Sequence, residues 1–279
     1  MKKFNLLSLA VVGMMALCVF GCQKKEAATT ADTKQDEISA TTKSQISSLG
    51  FSTENARKVE GGYLVEGDIL LSEANLTEKA ETTHLSVAST EQYRTTNLVK
   101  ALPRVITISV TNLPTVYSDA VNGMITRYNN LGLRFTFQRA AAGTTGQINV
   151  IGFNEGPSGG FITLGSSGFP TAAGNPYSEI KMNTNPAAYG ANPNLLYLTS
   201  VLQHEVGHCL GFRHTDYSNR AYSCGASGAG NEGQSGVGAI LIPGTPSAPD
   251  AASFMLACSN GGDRTFNAND IKAINYLYK

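Results

Sequence analysis

Apolar positions divide the chain into a leader, a polar stretch and two patterned regions. Residues 6–20 are almost continuously apolar, a run shorter than the roughly 20 residues a bilayer-spanning helix needs. Residues 23–42 are polar and low in complexity, which predicts a flexible tether with no face to bury. Residues 44–49 predict a short helix ended by Gly50, and residues 63–71 a strand broken by a turn at Gly67. Residues 72–97, rich in Thr, Ser and Glu, read as a linker.

From Leu102 onward the pattern is denser. Residues 105–110 are β-branched and strand-like. Pro114 opens a helical pattern with Ala120, Met124, Ile125, Tyr128 and Leu131 on one face, stopped by Gly132. Residues 133–138, 147–153, 161–164 and 179–183 are further strand candidates between Gly-rich turns. A second helix is predicted over residues 194–210, where Leu198, Leu202, Val206 and Leu210 form one buried stripe. Gly/Ser/Pro-rich loops fill residues 218–251. A last helix starts with Asn267 as N-cap and Asp270 at N3.

Composition narrows the function. The 279 residues carry 21 basic and 21 acidic side chains, so charge gives no reason to expect nucleic acid. At 42% hydrophobic the chain can build a core. Lys2 and Lys3 precede the apolar run and Gly21 precedes Cys22, the layout of a secretory signal peptide. A Cys after a small residue resembles the lipobox of bacterial lipoproteins, so residues 1–22 are expected to direct export and leave Cys22 lipidated. Ordinary signal cleavage with release is the alternative. Loss of residues 1–21 removes two of the 21 basic side chains and no acidic one, leaving 19 against 21.

The chemistry concentrates at the end of the second helix, in His204-Glu205-Val206-Gly207-His208-Cys209-Leu210-Gly211-Phe212-Arg213-His214. Positions i and i+4 put His204 and His208 one turn apart on one face, where both imidazoles can reach one ion. Glu205 can approach a water at that ion. Gly211 can take the left-handed conformation that turns the chain back, which lets His214 supply a third ligand. Three of the four His in the chain fall here; the fourth, His84, lies in the polar linker and reads as solvated.

The pattern HExxHxxGxxH resembles that of the metzincin metallopeptidases, and HEVGHCLGFRHTD is similar to the bacterial dual-action HEIGH metallopeptidases. The resemblance implies an α+β fold, a metzincin-like zincin domain over residues 98–279, preceded by a pro-segment or accessory segment and linker over 43–97. It implies one catalytic Zn2+ held by His204, His208 and His214, and a polypeptide substrate hydrolysed by activated water with Glu205 as general base. Ser253-Phe254-Met255 resembles the Met-turn, with Met255 as an apolar floor under the ligands. Ala257 stands where relatives carry a Tyr, leaving Tyr217 or Tyr222 to assist an oxyanion. Asp216 could anchor the loop, orient a ligand, or form a structural salt bridge. Two other readings remain open: a non-catalytic surface lipoprotein that binds proteins through this domain, and a zinc hydrolase acting on another bond.

Residues 65–68, Val-Glu-Gly-Asp, resemble the aspartate-switch element of astacin pro-segments, which would make Asp68 a latency ligand. A Gly-Asp turn in a small accessory hairpin is the alternative. Of Cys209, Cys224 and Cys258, the last two lie in the loop-rich end and are the favoured disulfide pair in an oxidising compartment. The expected partners are polypeptide and, through lipid on Cys22, a membrane. The protein is read as a monomer in the cell envelope or secreted.

Overall fold

The computed structural model describes residues 37–77, 92–158, 160–225, 232, 238–246 and 249–279. The leader with Cys22, the tether as far as residue 36, and His84 lie outside the described residues. Ser39 accepts from the backbone N–H of Thr42 and caps α1 (Ala40–Ser48), so the last residues of the expected tether are helical. Gly50, at φ 89°, turns the chain out of that helix.

The patterned stretch that follows is an antiparallel meander of β1 (Arg57–Val59), β2 (Gly62–Val65) and β3 (Ile69–Leu71). Glu66 and Gly67, both at positive φ, form the β2–β3 turn. Strand β1 has a single strongly apolar residue and gave no strand signal. A short α2 (Glu73–Leu76) follows, opened by a capping box from Ser72. Ile46, Phe51, Val65 and Ile69 form a small core, against which Phe169 packs.

Residues 92–95, the end of the expected linker, are tied down. Tyr93 and Arg94 form β4 (Tyr93–Arg94), paired antiparallel with β10 (Ile240–Leu241), and Gln92 is fully buried. Its amide donates to Asp270 Oδ1 at 2.7 Å and Ser253 Oγ at 3.2 Å. That burial comes from partners 161 and 178 residues away in sequence, which local polarity does not report.

The main sheet contains β5 (Arg104–Thr111), β6 (Phe135–Arg139), β7 (Ile148–Phe153), β8 (Gly165–Ser166) and β9 (Glu179–Asn183), in the order β6-β5-β7-β9-β8. The first four run parallel, and β8 is antiparallel at the edge. Residues 161–164 are not a strand. Leu164 O accepts instead from the Asn183 N–H and the Tyr189 hydroxyl, and the residue-for-residue ladder with β9 starts only at Gly165.

Helix α3 (Thr115–Asn129) buries Ala120, Met124 and Tyr128, with α4 (Pro186–Tyr189) a single turn. In α5 (Leu195–Leu210), Asn194 accepts from the N–H groups of Leu196 and Tyr197 at 2.9 and 3.0 Å. Every residue from Leu198 to Leu210 is buried, so α5 is the central element of an α+β fold, packed along α3 and below the sheet edge. After α6 (Ala221–Cys224), the C-terminal α7 (Ala268–Tyr278) opens with the capping box of Asn267 and Asp270. Asp270 also accepts from Ser253 Oγ and the Phe254 N–H, which ties this helix start to residues 253–255. Among the described residues no helix is long and apolar enough to cross a membrane.

Candidate metal centre and catalytic cleft

Helix α5 ends at Gly211, whose φ of 102° no β-substituted residue holds comfortably. A β-carbon there would also meet Leu98 Cδ2 at 2.8 Å and Asn97 O at 2.9 Å. The turn brings His214 beside His204 and His208. Their Nε2 atoms lie 3.0 Å (204–208), 3.1 Å (208–214) and 3.3 Å (204–214) apart. Asp68, at the β2–β3 turn, places Oδ2 3.0 Å from His214 Nε2, 3.3 Å from His204 Nε2 and 3.9 Å from His208 Nε2.

The far side of each ring fixes its tautomer. His204 Nδ1 lies 2.8 Å from Phe254 O, and His208 Nδ1 2.8 Å from Phe212 O. A carbonyl can only accept, so each Nδ1 carries the proton and each Nε2 presents a lone pair. His214 Nδ1 faces the Glu232 carboxylate in the same way. Four acceptors therefore converge, and Asp68 Oδ1, also buried, has no hydrogen-bond partner. Such a set repels itself unless a cation sits among it. Zinc with ligands at about 2.0–2.1 Å in tetrahedral geometry separates its donors by about 3.4 Å, close to the spacing found. The donor set fits one zinc ion.

Electrostatics point the same way. Burial opposes charge on His214, but the carboxylates of Asp68 and Glu232 more than offset it and raise its pKa well above the usual value; a metal ion meets the same demand for positive charge. Burial holds His208 neutral, at about 4. Burial works against ionised Asp68 and Glu232 as well, yet His214 and the hydrogen bonds around them hold Asp68 well below its usual range and Glu232 at about 2.

Glu205 lies beside this centre. Ser167 Oγ donates to its Oε2 at 2.7 Å. A β-carbon on Gly165 would sit 2.8 Å from Glu205 Oε1, so the edge strand needs glycine there to admit the carboxylate. Burial and then the Asp68 charge push the Glu205 pKa well above normal, against the Ser167 bond. Met255 is fully buried under α5.

The other sequence candidates lie elsewhere. Asp216 accepts from Ser223 Oγ at 2.6 Å and from the Ala257 N–H at 3.0 Å; it anchors the loop, and the carboxylate behind the His214 ring is Glu232. Tyr217 is buried edge-on to Tyr93, with centroids 4.4 Å apart, and the exposed Tyr222 donates to Pro249 O. Cys224 and Cys258 are joined by a disulfide, while Cys209 is a buried free thiol. Sequence reasoning missed Glu232, Ser167 and the carbonyls of Phe212 and Phe254. Glu232 sits in a Gly/Ser-rich loop and Ser167 in a Gly-Ser-Ser-Gly run, where no periodicity marks them.

A cleft of about 330 Å3 runs past His204 and Glu205. The N-terminal meander lies along it. The Leu70 N–H donates to Ser167 O at 2.8 Å and the Ser167 N–H to Asp68 O at 3.0 Å, so Asp68–Leu70 pairs in parallel with the edge beyond β8.

Comparison with known proteins adds the following. A protein-family model described as dual-action HEIGH metallo-peptidase matches residues 63–278. Two solved structures of myroilysin are similar at 16% identity and TM-score 0.41, covering 65% of this chain and 86% and 82% of theirs. High choriolytic enzyme 1, a hatching enzyme zinc-protease from Oryzias latipes (Medaka fish), is similar at 15% identity and TM-score 0.36, covering 71% of this chain and 98% of its own. No curated protein matches.

Proposed function

The chain belongs to the dual-action HEIGH metallo-peptidase family, and from that premise we propose that it is an exported zinc endopeptidase held latent by its own Asp68. It is a metallopeptidase whose substrates are polypeptides and whose cofactor is zinc. His204, His208 and His214 are proposed as the protein ligands and Glu205 as the general base. The observation that carries the reading is the convergence of three imidazole lone pairs one residue from a buried, hydrogen-bonded glutamate.

Zinc, when bound, supplies the Lewis acidity that polarises a scissile carbonyl and lowers the pKa of water from 15.7 toward about 7. The chain does the rest. Phe254 O, Phe212 O and Glu232 fix the imidazole tautomers. Ser167 aims one oxygen of Glu205 and leaves the other to take a proton from water and return it to the departing amine. Residues 165–167 offer a strand edge to which an extended polypeptide can pair.

In the intact chain Asp68–Leu70 occupies that edge and the Asp68 carboxylate occupies the fourth donor position. The hairpin falls within the span of the family match, which starts at residue 63. Release of this segment frees both. The leader supports export, with Cys22 as the lipidated residue of an envelope protein; a labelled fatty acid is expected to enter the wild-type chain and not Cys22→Ser.

Casein digestion by the purified chain tests the reading. Asp68→Ala is expected to cleave at least about 10-fold faster than wild type, the low end of what changing one group around a metal site does. Adding Glu205→Ala should remove about 10²–10⁴-fold of that rate with one zinc per chain retained. A chelator should abolish cleavage and zinc restore it. Full activity in the Glu205→Ala chain would overturn the general-base assignment.

A further inference from the structure

Glu66 stands two residues before Asp68 and is buried more deeply than a turn residue needs to be. Its φ is 53°, and none of its side chain is exposed. Its Oε2 lies 3.0 Å from Arg213 Nη2, and its Oε1 accepts from the Ser52 N–H at 3.1 Å. Its backbone oxygen accepts from Arg220 Nη1. The turn is thus held by two guanidinium groups, one on Arg213 directly before the third histidine and one on Arg220 in the segment after it.

Those guanidinium groups are fixed by the catalytic part of the chain. Arg213 donates to Glu232 Oε2 at 3.2 Å and Gly238 O at 3.1 Å. Its guanidinium carbon lies 5.7 Å from the Phe169 ring centroid and 6.0 Å from that of Tyr217. Arg220 Nε is 3.7 Å from Glu232 Oε1 and makes no hydrogen bond. Arg220 lines the cleft together with His204 and Glu205.

With the hairpin in place, Arg213 bonds carboxylates on two sides, Glu66 and Glu232. Release of the hairpin takes the Glu66 carboxylate from Arg213 and the Glu66 carbonyl from Arg220. Breaking a buried ion pair by removing one partner is costly, so the place Glu66 vacates favours an anion. An Arg held by stacked rings and a second carboxylate is preorganised to receive a carboxylate.

We infer that Arg213 and Arg220 form a subsite that selects an acidic residue, Asp or Glu, in the polypeptide substrate, and that Glu66 occupies this subsite in the latent chain. The inference rests on the proposed release of the Asp68 hairpin and names the substrate class that release admits. Glu66 is then an internal copy of the substrate's side chain.

The full chain carrying Glu66→Ala and Asp68→Ala is the test, because it removes both hairpin carboxylates without truncation. It is set to digest an unbiased peptide mixture, and the cut sites are read by mass spectrometry. Cuts should carry Asp or Glu at one fixed position relative to the broken bond. A peptide with Glu there should show kcat/KM about 10-fold or more above its Gln counterpart, the scale of one charge-assisted hydrogen bond. Adding Arg220→Gln should collapse that ratio, and Arg220→Lys, which keeps the charge and the loop's packing, should retain part of it. Zinc content and thermal unfolding check that each chain is folded. Active enzyme with no acidic enrichment overturns the subsite and leaves hairpin release standing. No gain of activity over wild type overturns hairpin release, and the subsite inference with it.

Discussion

Met255 Sδ lies where a side chain on Gly207 would have to begin: a β-carbon at 207 would come within 2.5 Å of it and 2.9 Å of Phe254 Cε2. The glycine is helical, so backbone conformation does not explain it. Close approach does. The helix turn between His204 and His208 rests directly on residues 254–255, and Phe254 O holds the His204 ring. Gly207→Ala is therefore expected to destabilise the protein by about 1–3 kcal/mol through overpacking and to weaken zinc binding, since Phe254 must move. Urea unfolding should show a lower midpoint at unchanged slope. An unshifted midpoint would mean that the contact has slack to absorb a methyl group.

How much of this was legible in the sequence depends on how local the cause is. Helix α5 could be read almost to the residue, because its cap Asn194, its apolar stripe and the Gly211 that ends it are all local to it. Strands β5 and β9 and the capping box of α7 are equally self-contained. Where the cause is distant the reading failed. Tyr93 pairs with a strand about 150 residues on, and Gln92 is buried by Ser253 and Asp270. Residues 161–164 are as apolar as a strand, but they line the cleft and turn one carbonyl to Asn183 and Tyr189. At the centre itself, histidine spacing picks out the three imidazoles that converge, whereas Glu232 and Ser167 are placed there only by tertiary structure.

Ser167 spends its hydroxyl on Glu205. Because the bond is to the proposed base and not to a ligand, Ser167→Ala in the Asp68→Ala background should lower kcat about 10-fold, the low end of what losing a supporting hydrogen bond at a metal site costs. KM and zinc content should stay near the parent values. Ser167→Thr, which keeps the hydroxyl, should recover most of the loss. A change confined to KM would place Ser167 in substrate pairing, through its backbone, and remove the aiming role.

The Cys224–Cys258 bridge closes 34 residues, including the loop that carries Glu232. Loop-closure entropy for that length gives about 4 kcal/mol of stabilisation. The Cys224→Ala/Cys258→Ala chain should unfold at correspondingly lower urea, with the loss visible in non-reducing conditions only. If reductant destabilises that variant as much as wild type, the bridge is not the cause.

Glu232 and Asp216 make opposite predictions, though either could be drawn as the carboxylate behind the third histidine. Glu232 accepts from His214 and from Arg213 with separate oxygens; Asp216 accepts from Ser223 and the Ala257 N–H. In Glu232→Gln only one acceptor oxygen remains, so either the His214 tautomer or the Arg213 bond is lost, along with the negative charge behind the ring. Zinc affinity, read by competition with a chromophoric chelator, should fall about 10–100-fold. Asp216→Asn disturbs the loop beside the disulfide, so it should lower thermal stability while zinc affinity stays close to wild type. Weaker zinc binding in Asp216→Asn than in Glu232→Gln would reverse the assignment, and with it the argument that His214 is oriented from the loop at 232.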